Sequence, residues 1–322
     1  MSIIDLSHQF ALGIDIGGTT TKFGLVNLRG EILCQDTIRT DHYEDVNDFI
    51  DELYQVANPM IQKYSTRCDF IGIGMGAPNA NFYSGTIEEA PNLLWKGSTP
   101  MVELMTKKFN AKTIITNDAN AAAKGEMQFG AAKGLKNFIM ITLGTGVGSG
   151  IVINGQLVYG HDGFAGELGH TIVLPDGRKH WSTGFKGSLE AYASATGIAI
   201  TTKEFRQRYP NSLLHNYSEE DCNAKAAFEC AELGDEAALE VFKFTGEILG
   251  KALSNFVMFS SPEAILFFGG VVKAGDYLLK PAYEQMEKDL LPIFKNKVNF
   301  AVSQMKESDA AILGAASLVW EN

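Results

Sequence analysis

The feature that most limits what this chain can fold into is an internal repeat. Two segments 127 residues apart carry the same succession of apolar strand, glycine-rich turn and returning apolar strand. Leu12, Ile14 and Ile16 fall on Ile139, Ile141 and Leu143, Gly17 falls on Gly144, and Leu25-Val26-Asn27 fall on Val152-Ile153-Asn154. One matched glycine is commonplace. Strand, turn and return matching together predict two structurally related lobes, each opening on a β-hairpin with a Gly/Thr-rich tip. A length of 322 residues leaves room for both. The expected class is α/β, two related lobes with a cleft between them.

The rest of the pattern fills in that plan. Apolar runs predict strands at Phe10–Ile16, Lys22–Asn27 and Glu31–Arg39 as an antiparallel meander, and then at Phe70–Met75 and Thr113–Thr116. Helical spacing of Phe49, Ile50, Leu53, Val56, Ala57, Met60 and Ile61 predicts a helix over Val46–Ser65. Further helices are expected at Pro100–Phe109, Ala119–Phe129, Ser188–Thr196, Ile198–Tyr209, Ala224–Leu233, Glu236–Phe256 and Tyr277–Asp289. Strands are expected at Ala264–Phe268 and Val298–Val302, with a last helix Ala310–Trp320 capped by Asp309. No low-complexity linker divides the halves, so the lobes should meet at hinges near Asp118–Gly130 and Met305–Asp309. That gives a small lobe of residues 1–120, joined by the C-terminal helix 309–322, and a large lobe of 121–308.

Charge and cysteine usage remove several classes. Lys+Arg 27 against Asp+Glu 38 gives a net charge of −11, which would repel nucleic acid and anionic membrane surfaces. Cys34, Cys68, Cys222 and Cys230 are scattered without a CxxC pair, so neither a disulfide framework nor a four-thiolate metal site is expected. The N-terminal run lacks a basic region followed by a long apolar stretch, and no window approaches 18 uninterrupted apolar residues. A soluble, cytoplasmic protein is expected.

The two turns are candidate phosphate cradles. The first, Gly13 to Lys22, sets Asp15 just before Gly17-Gly18-Thr19-Thr20; the second runs Leu143-Gly144-Thr145-Gly146-Val147-Gly148-Ser149-Gly150. Backbone N–H groups freed at such turns suit phosphate oxygens, which approach closely where no Cβ intervenes. Neither is a P-loop, because Thr19 and Thr20 stand where Lys and Ser/Thr are needed, and neither is a dinucleotide fingerprint. A lone glycine hairpin is usually only a tight turn; two on related lobes could clamp one triphosphate, with Asp15 holding Mg²⁺ through water.

These residues bring a family into view. DIGGT at Asp15–Thr19, LGTGVG at Leu143–Gly148 and FFGG ending in Gly269-Gly270 resemble the actin/hexokinase/Hsp70 ATPase superfamily, with its actin-like (ribonuclease H-like) fold. Within it, Gly163-Phe-Ala-Gly166-Glu167-Leu-Gly-His170, the Asn117-Asp118-Ala-Asn-Ala-Ala run, Gly74–Pro78 with Ala90-Pro91-Asn92-Leu93, and Asp309–Ala316 resemble the ROK (repressor, ORF, kinase) family. The resemblance covers nearly the whole chain. It implies an ATP- and Mg²⁺-dependent sugar kinase, glucokinase-like and homodimeric. Asp15, Gly17, Gly18, Thr19, Thr20, Lys22, Gly144, Thr145, Gly146, Gly148, Gly269 and Gly270 are then the nucleotide-binding positions.

The resemblance also assigns the sugar site. Taken alone, Asp118 at a strand-to-helix corner reads as an N-cap; in the family the matching Asp is the catalytic base, and Asn117 helps to hold sugar hydroxyls. Glu167, His170 and Glu190 are assigned to the pyranose ring. Two departures stand out. Where relatives carry a C-x-C-G-x-x-G-C zinc motif, this chain has Trp181, Thr183 and Ser188, so no structural zinc site is expected. The second nitrogen of His170 should then be held from the Trp181–Ser188 loop, with Trp181 and Phe185 anchoring that loop. The usual Pro-Gly is Pro78-Asn79, which bears on sugar choice. The expected reaction is glucose to glucose 6-phosphate. The alternatives are an N-acetylmannosamine, N-acetylglucosamine or fructose kinase, and a sugar-sensing repressor, which fourteen residues before Asp15 and the acidic charge disfavour.

Overall fold

The computed structural model describes residues 8–320. The chain opens with β1 (Gln9–Ile16), β2 (Thr20–Asn27) and β3 (Ile32–Arg39), a meander whose third strand exposes most of its polar residues. Helix α1 (Val46–Ser65) is capped by Asp45, whose side chain accepts from Asn47 N, and it buries Phe49, Ile50, Leu53, Ala57 and Ile61. Next come β4 (Asp69–Gly76), the short pair β5 (Ile87–Glu88) and β6 (Ser98–Thr99), α2 (Met101–Phe109) and β7 (Thr113–Thr116). The sheet order is β3-β2-β1-β4-β7, with β4 and β7 parallel to β1.

After α3 (Asp118–Phe129) the plan repeats. Strands β8 (Phe138–Leu143), β9 (Val147–Ile153) and β10 (Gln156–Leu157) form a second meander. Helices α4 (Glu190–Ala193), α5 (Ala195–Arg208), α6 (Ala224–Glu232) and α7 (Glu236–Ser260) precede β11 (Ala264–Phe268). Helix α8 (Asp276–Asp289), β12 (Asn299–Val302) and α9 (Glu307–Ser317) follow, with a 3-10 turn at Leu318–Trp320. The second sheet runs β10-β9-β8-β11-β12, strand for strand the order of the first. That is the expected pair of related halves, in the actin-like arrangement.

The register of the repeat differs from expectation by one residue. Ile16 pairs with Thr21 at the first tip, but Leu143 pairs with Val147 at the second. Gly17 N–H donates to Thr20 O (3.1 Å), whereas Gly144 N–H donates to Gly146 O (3.0 Å), so the second turn is one residue shorter. The structural partner of Leu25, which pairs with Leu12, is therefore Ile151, which pairs with Ile139, and not Val152. All three are buried, so no alternation of apolar and polar residues could betray the slip.

Helix boundaries also move: α5 starts at Ala195, three residues before the expected Ile198, and α7 runs to Ser260, four past the expected Phe256. The expected helix over 188–196 is only the four-residue α4. Ser194 turns extended (φ −75°, ψ 163°) and its Oγ accepts from Gly197 N at 3.0 Å, ending one helix and capping α5. The last helix begins at Glu307 after Lys306, placing Asp309 inside its first turn and not at the cap. Residues 1–7 and 321–322, which the expected small lobe included, lie outside the described residues.

Between the sheets, α9 packs on β1 and β4 while α3 packs on β9, and the two helices lie against each other. Their crossing has no room for side chains. A Cβ on Gly125 would lie 2.8 Å from Gly314 Cα, and one on Gly314 would lie 2.4 Å from Ala121 O. The helices therefore meet backbone to backbone.

Candidate active site

The two sheets enclose a cavity of about 550 Å³ at the ends of β1, β7 and β8. Strand β7 delivers Asn117 and Asp118 to it. Asn117 is the N-cap of α3: its backbone is extended and its Oδ1 accepts from Asn120 N at 2.7 Å. Asp118 is the first helical residue, and its Oδ1 accepts from Ala119 N at 2.8 Å. Capping thus falls to Asn117, and the Asp118 carboxylate is not needed for it. Burial pushes the Asp118 carboxyl above its usual range, against the lowering effect of the Ala119 and Asp118 N–H groups.

Asp15 lines the same cavity from β1. Burial, and then the neighbouring charge of Asp118, push its pKa from 3.8 up to about 6, while Lys22 across the hairpin pulls the other way. Desolvation in the cavity raises both carboxyls and the Asp118 charge raises Asp15 further, so the pair forms a donor set suited to a hard cation such as Mg²⁺, whose charge would relieve both.

Glu167 and His170 come from the glycine-flanked turn after β10, tied to the second hairpin through Ser149. Ser149 Oγ donates to Gly166 O and accepts from Leu168 N. Glu167 Oε2 lies 3.7 Å from His170 Nε2. Burial raises the Glu167 pKa; His170 lowers it, and Asp118 and Glu190 raise it further, which places three carboxylates within electrostatic reach of one another. Glu190 opens α4. Its Oε2 accepts from Val147 N at 2.7 Å and its Oε1 lies 2.9 Å from His180 Nε2. Gly146 is required here, because a Cβ would lie 2.5 Å from that Oε2.

The loop in place of the zinc motif is held differently from expectation. Trp181 and Phe185 are 70% and 56% exposed, so they do not anchor it; the buried side chains are His180, at 2%, and Ser188, at 0%. Thr183 and Ser182 turn their polar groups to His180 Nδ1, and His170 Nδ1 has no hydrogen-bond partner among the described residues. The donors at the former thiolate positions are an indole and two neutral hydroxyls, which do not fit a tetrahedral zinc ion. Asn79 makes the turn without a glycine. At φ 51° it adopts the left-handed conformation, and its Nδ2 donates to Glu88 O at 3.0 Å.

The two tips are placed unequally. Gly144, Thr145, Gly146, Gly148 and Gly269 line the cavity. Of the first-hairpin candidates only Asp15 does; Gly17 is closed on Thr20, Gly18 lies against the Asn92 backbone, Thr19 and Lys22 are exposed, and Thr20 lies outside the lining. Gly270 lines a second cavity of about 710 Å³, which shares Gly144 and Thr145 with the first. Its walls are largely apolar: Ile198 and Ala199 of α5, Phe228 of α6, Phe242 of α7 and Val271. Residue pattern does not reveal this chamber, because apolar positions on helices read as core whether they face packing or a void.

Comparison with known proteins agrees with this geometry. The chain matches the ROK family over residues 11–322. It is 36% identical over 318 residues to a glucokinase of Halalkalibacterium halodurans, covering 98% of this chain and 96% of that one. It is 34% identical to a glucokinase of Thermotoga maritima, covering 96% and 97%. A crystal structure of a ROK family glucokinase from Streptomyces griseus in complex with glucose and AMPPNP superposes with a TM-score of 0.77 at 30% identity, over 96% of this chain and 98% of that one. With a polar cavity and an apolar one joined at a glycine tip, and these likenesses along almost its full length, the chain belongs to the ROK family.

Proposed function

We propose that this protein is an ATP-dependent hexose kinase that phosphorylates glucose on its 6-hydroxyl. The observation that carries the reading is the shared Gly144-Thr145 tip: it borders both the apolar chamber and the acidic cavity that holds Asp118. Adenine fits the apolar chamber, the phosphates run over the tip, and the sugar lies among Asn117, Glu167, His170 and Glu190. Asp118 accepts the 6-hydroxyl proton as that oxygen bonds to the γ-phosphorus. The bond from phosphorus to the β–γ bridging oxygen breaks, and ADP leaves. Asp15 would hold Mg²⁺ through water, and the ion would supply charge neutralisation to the phosphates. Glu167, Glu190 and His170 orient the ring, and a site built from such polar groups rejects sugars that leave them unpaired.

Gly17, Gly18, Thr19, Thr20 and Lys22 reach the phosphates only if the lobe of residues 1–120 with 309–322 closes on that of 121–308, pivoting where α3 meets α9. The family resemblance supports a homodimer and a cytoplasmic setting, where ATP is supplied. Among the described residues no helix is long and apolar enough to cross a membrane. An ATP-dependent panel of glucose, N-acetylmannosamine, N-acetylglucosamine and fructose, read through ADP release, tests the assignment. Glucose should give the highest kcat/KM, and a better amino sugar or fructose would overturn it.

A further inference from the structure

We infer that His180 is a positioning residue for the sugar site, acting through Glu190. The inference rests on the proposed role of Glu190 as a sugar ligand. Glu190 begins a helix of only four residues, and so short a helix cannot fix a side chain by its own cooperativity. The carboxylate is held at both oxygens instead: Val147 N donates to Oε2 at 2.7 Å, and His180 Nε2 reaches Oε1 at 2.9 Å. The side chains are 3% and 15% exposed respectively, so water competes little for the bond.

The protonation pattern follows from one neighbour. Thr183 N, a backbone N–H that can only donate, lies 3.3 Å from His180 Nδ1, and the hydroxyls of Thr183 (3.2 Å) and Ser182 (3.3 Å) lie beside it. Nδ1 is therefore the acceptor, which puts the ring proton on Nε2, facing Glu190. The loop around the ring is built to hold it. His180 N donates to Phe185 O at 2.7 Å, Gly184 N donates to His180 O at 3.1 Å, and the backbones of Lys179 and Lys186 pair antiparallel. Below the hairpin, Arg178 fastens the chain to the carbonyls of Ala191 and Gly197, each at 2.9 Å.

A histidine serving the loop alone would spend both nitrogens on the loop. This one spends Nδ1 there and Nε2 on Glu190. Because the other oxygen of Glu190 is bonded to the residue that follows the Gly144–Gly146 tip, His180 aligns a group standing between the sugar and the phosphates. Losing it frees Oε1 while the bond to Val147 remains, so the loss should fall on sugar affinity.

The experiment compares His180→Ala and His180→Gln, with Phe185→Ala, a 56% exposed ring on the same loop, as control. His180→Ala should raise the glucose KM about tenfold and leave the ATP KM within twofold. Gln, which can place an N–H donor near Oε1, should bring the glucose KM back to within about threefold of wild type; Phe185→Ala should leave both constants within twofold. Long-range ¹H–¹⁵N NMR on the wild-type protein should show the neutral Nε2–H tautomer for His180, with signals that shift in Glu190→Gln. An unchanged glucose KM in His180→Ala, a Gln variant no better than Ala, or an Nδ1–H tautomer would overturn the inference. If wild type binds and phosphorylates no hexose, the sugar-site assignment of Glu190 falls and takes the inference with it. If wild type uses glucose and the His180 variants behave as wild type, only the inference falls.

Discussion

Replacing Asp118 with Asn separates chemistry from scaffold more cleanly than most active-site substitutions can. Asn117 supplies the helix cap through its 2.7 Å bond to Asn120 N, so Asp118→Asn leaves the cap in place. The amide oxygen can still accept from Ala119 N, as Oδ1 does now at 2.8 Å. What is lost is a proton acceptor, and with it about 10²–10⁴ in kcat, or roughly 3–5 kcal/mol of barrier. What is gained is relief from a poorly solvated charge, since desolvation in the cavity already pushes the Asp118 carboxyl upward and its charge pushes up Asp15. Melting temperature should hold or rise, and glucose binding measured by calorimetry should persist. Asn117→Ala supplies the contrast: loss of the cap should cost about 1 kcal/mol of stability, and sugar affinity with it. Turnover of Asp118→Asn within tenfold of wild type, or a fall in stability matching that of Asn117→Ala, would refute the reasoning.

Two further outcomes follow from the site. The folded-state pKa of Asp15 is about 6 against an ordinary 3.8, so the folded protein binds that proton more tightly than the unfolded chain. The associated stability is fully present below 3.8 and lost as pH rises through about 6, a difference of roughly 3 kcal/mol at about 1.4 kcal/mol per pH unit. In metal-free buffer the stability of Asp15→Asn over wild type, followed by chemical denaturation, should therefore open between pH 4 and 6 and then level off; a flat difference would count against the coupling. Ala199→Trp, which fills the apolar chamber, should raise the ATP KM about tenfold or more and spare glucose binding; equal effects on both ligands would argue against adenine there.

Much of the scaffold was legible from residue patterns, and the reasons are local. The α1 stripe from Phe49 to Ile61 is long enough for its period to be unambiguous, and its bounds came out at Val46–Ser65 as expected. Asn117 and Asp118 were legible as a pair, but which of them caps depends on where the helix starts, and one residue decides it. The shorter second tip was hidden because both faces of β9 are largely buried, which erases the alternation that would have set the register. His180 was hidden for another reason. Nothing in its immediate sequence marks it; its meaning comes from Glu190, ten residues on, brought to its ring by the turn of the loop. The break at Ser194 shows the converse, a serine in an apolar run where the side chain outbids the helix for a backbone N–H.

The single residue that distinguishes the two hairpin tips bears on how a duplicated architecture comes to serve an unsymmetrical task. Two copies of one plan face each other, yet a phosphoryl donor and its acceptor share no symmetry, so identical halves would offer the same group to unlike ends. Both tips close on themselves, Gly17 N–H on Thr20 O and Gly144 N–H on Gly146 O, but only the shorter one leaves open space beside its first glycine, Gly144, where both cavities meet. Dropping one residue from a turn changes no strand order and disturbs no core. Divergence of the halves could thus proceed through loop length alone, leaving the shared framework intact while each tip took on a separate job.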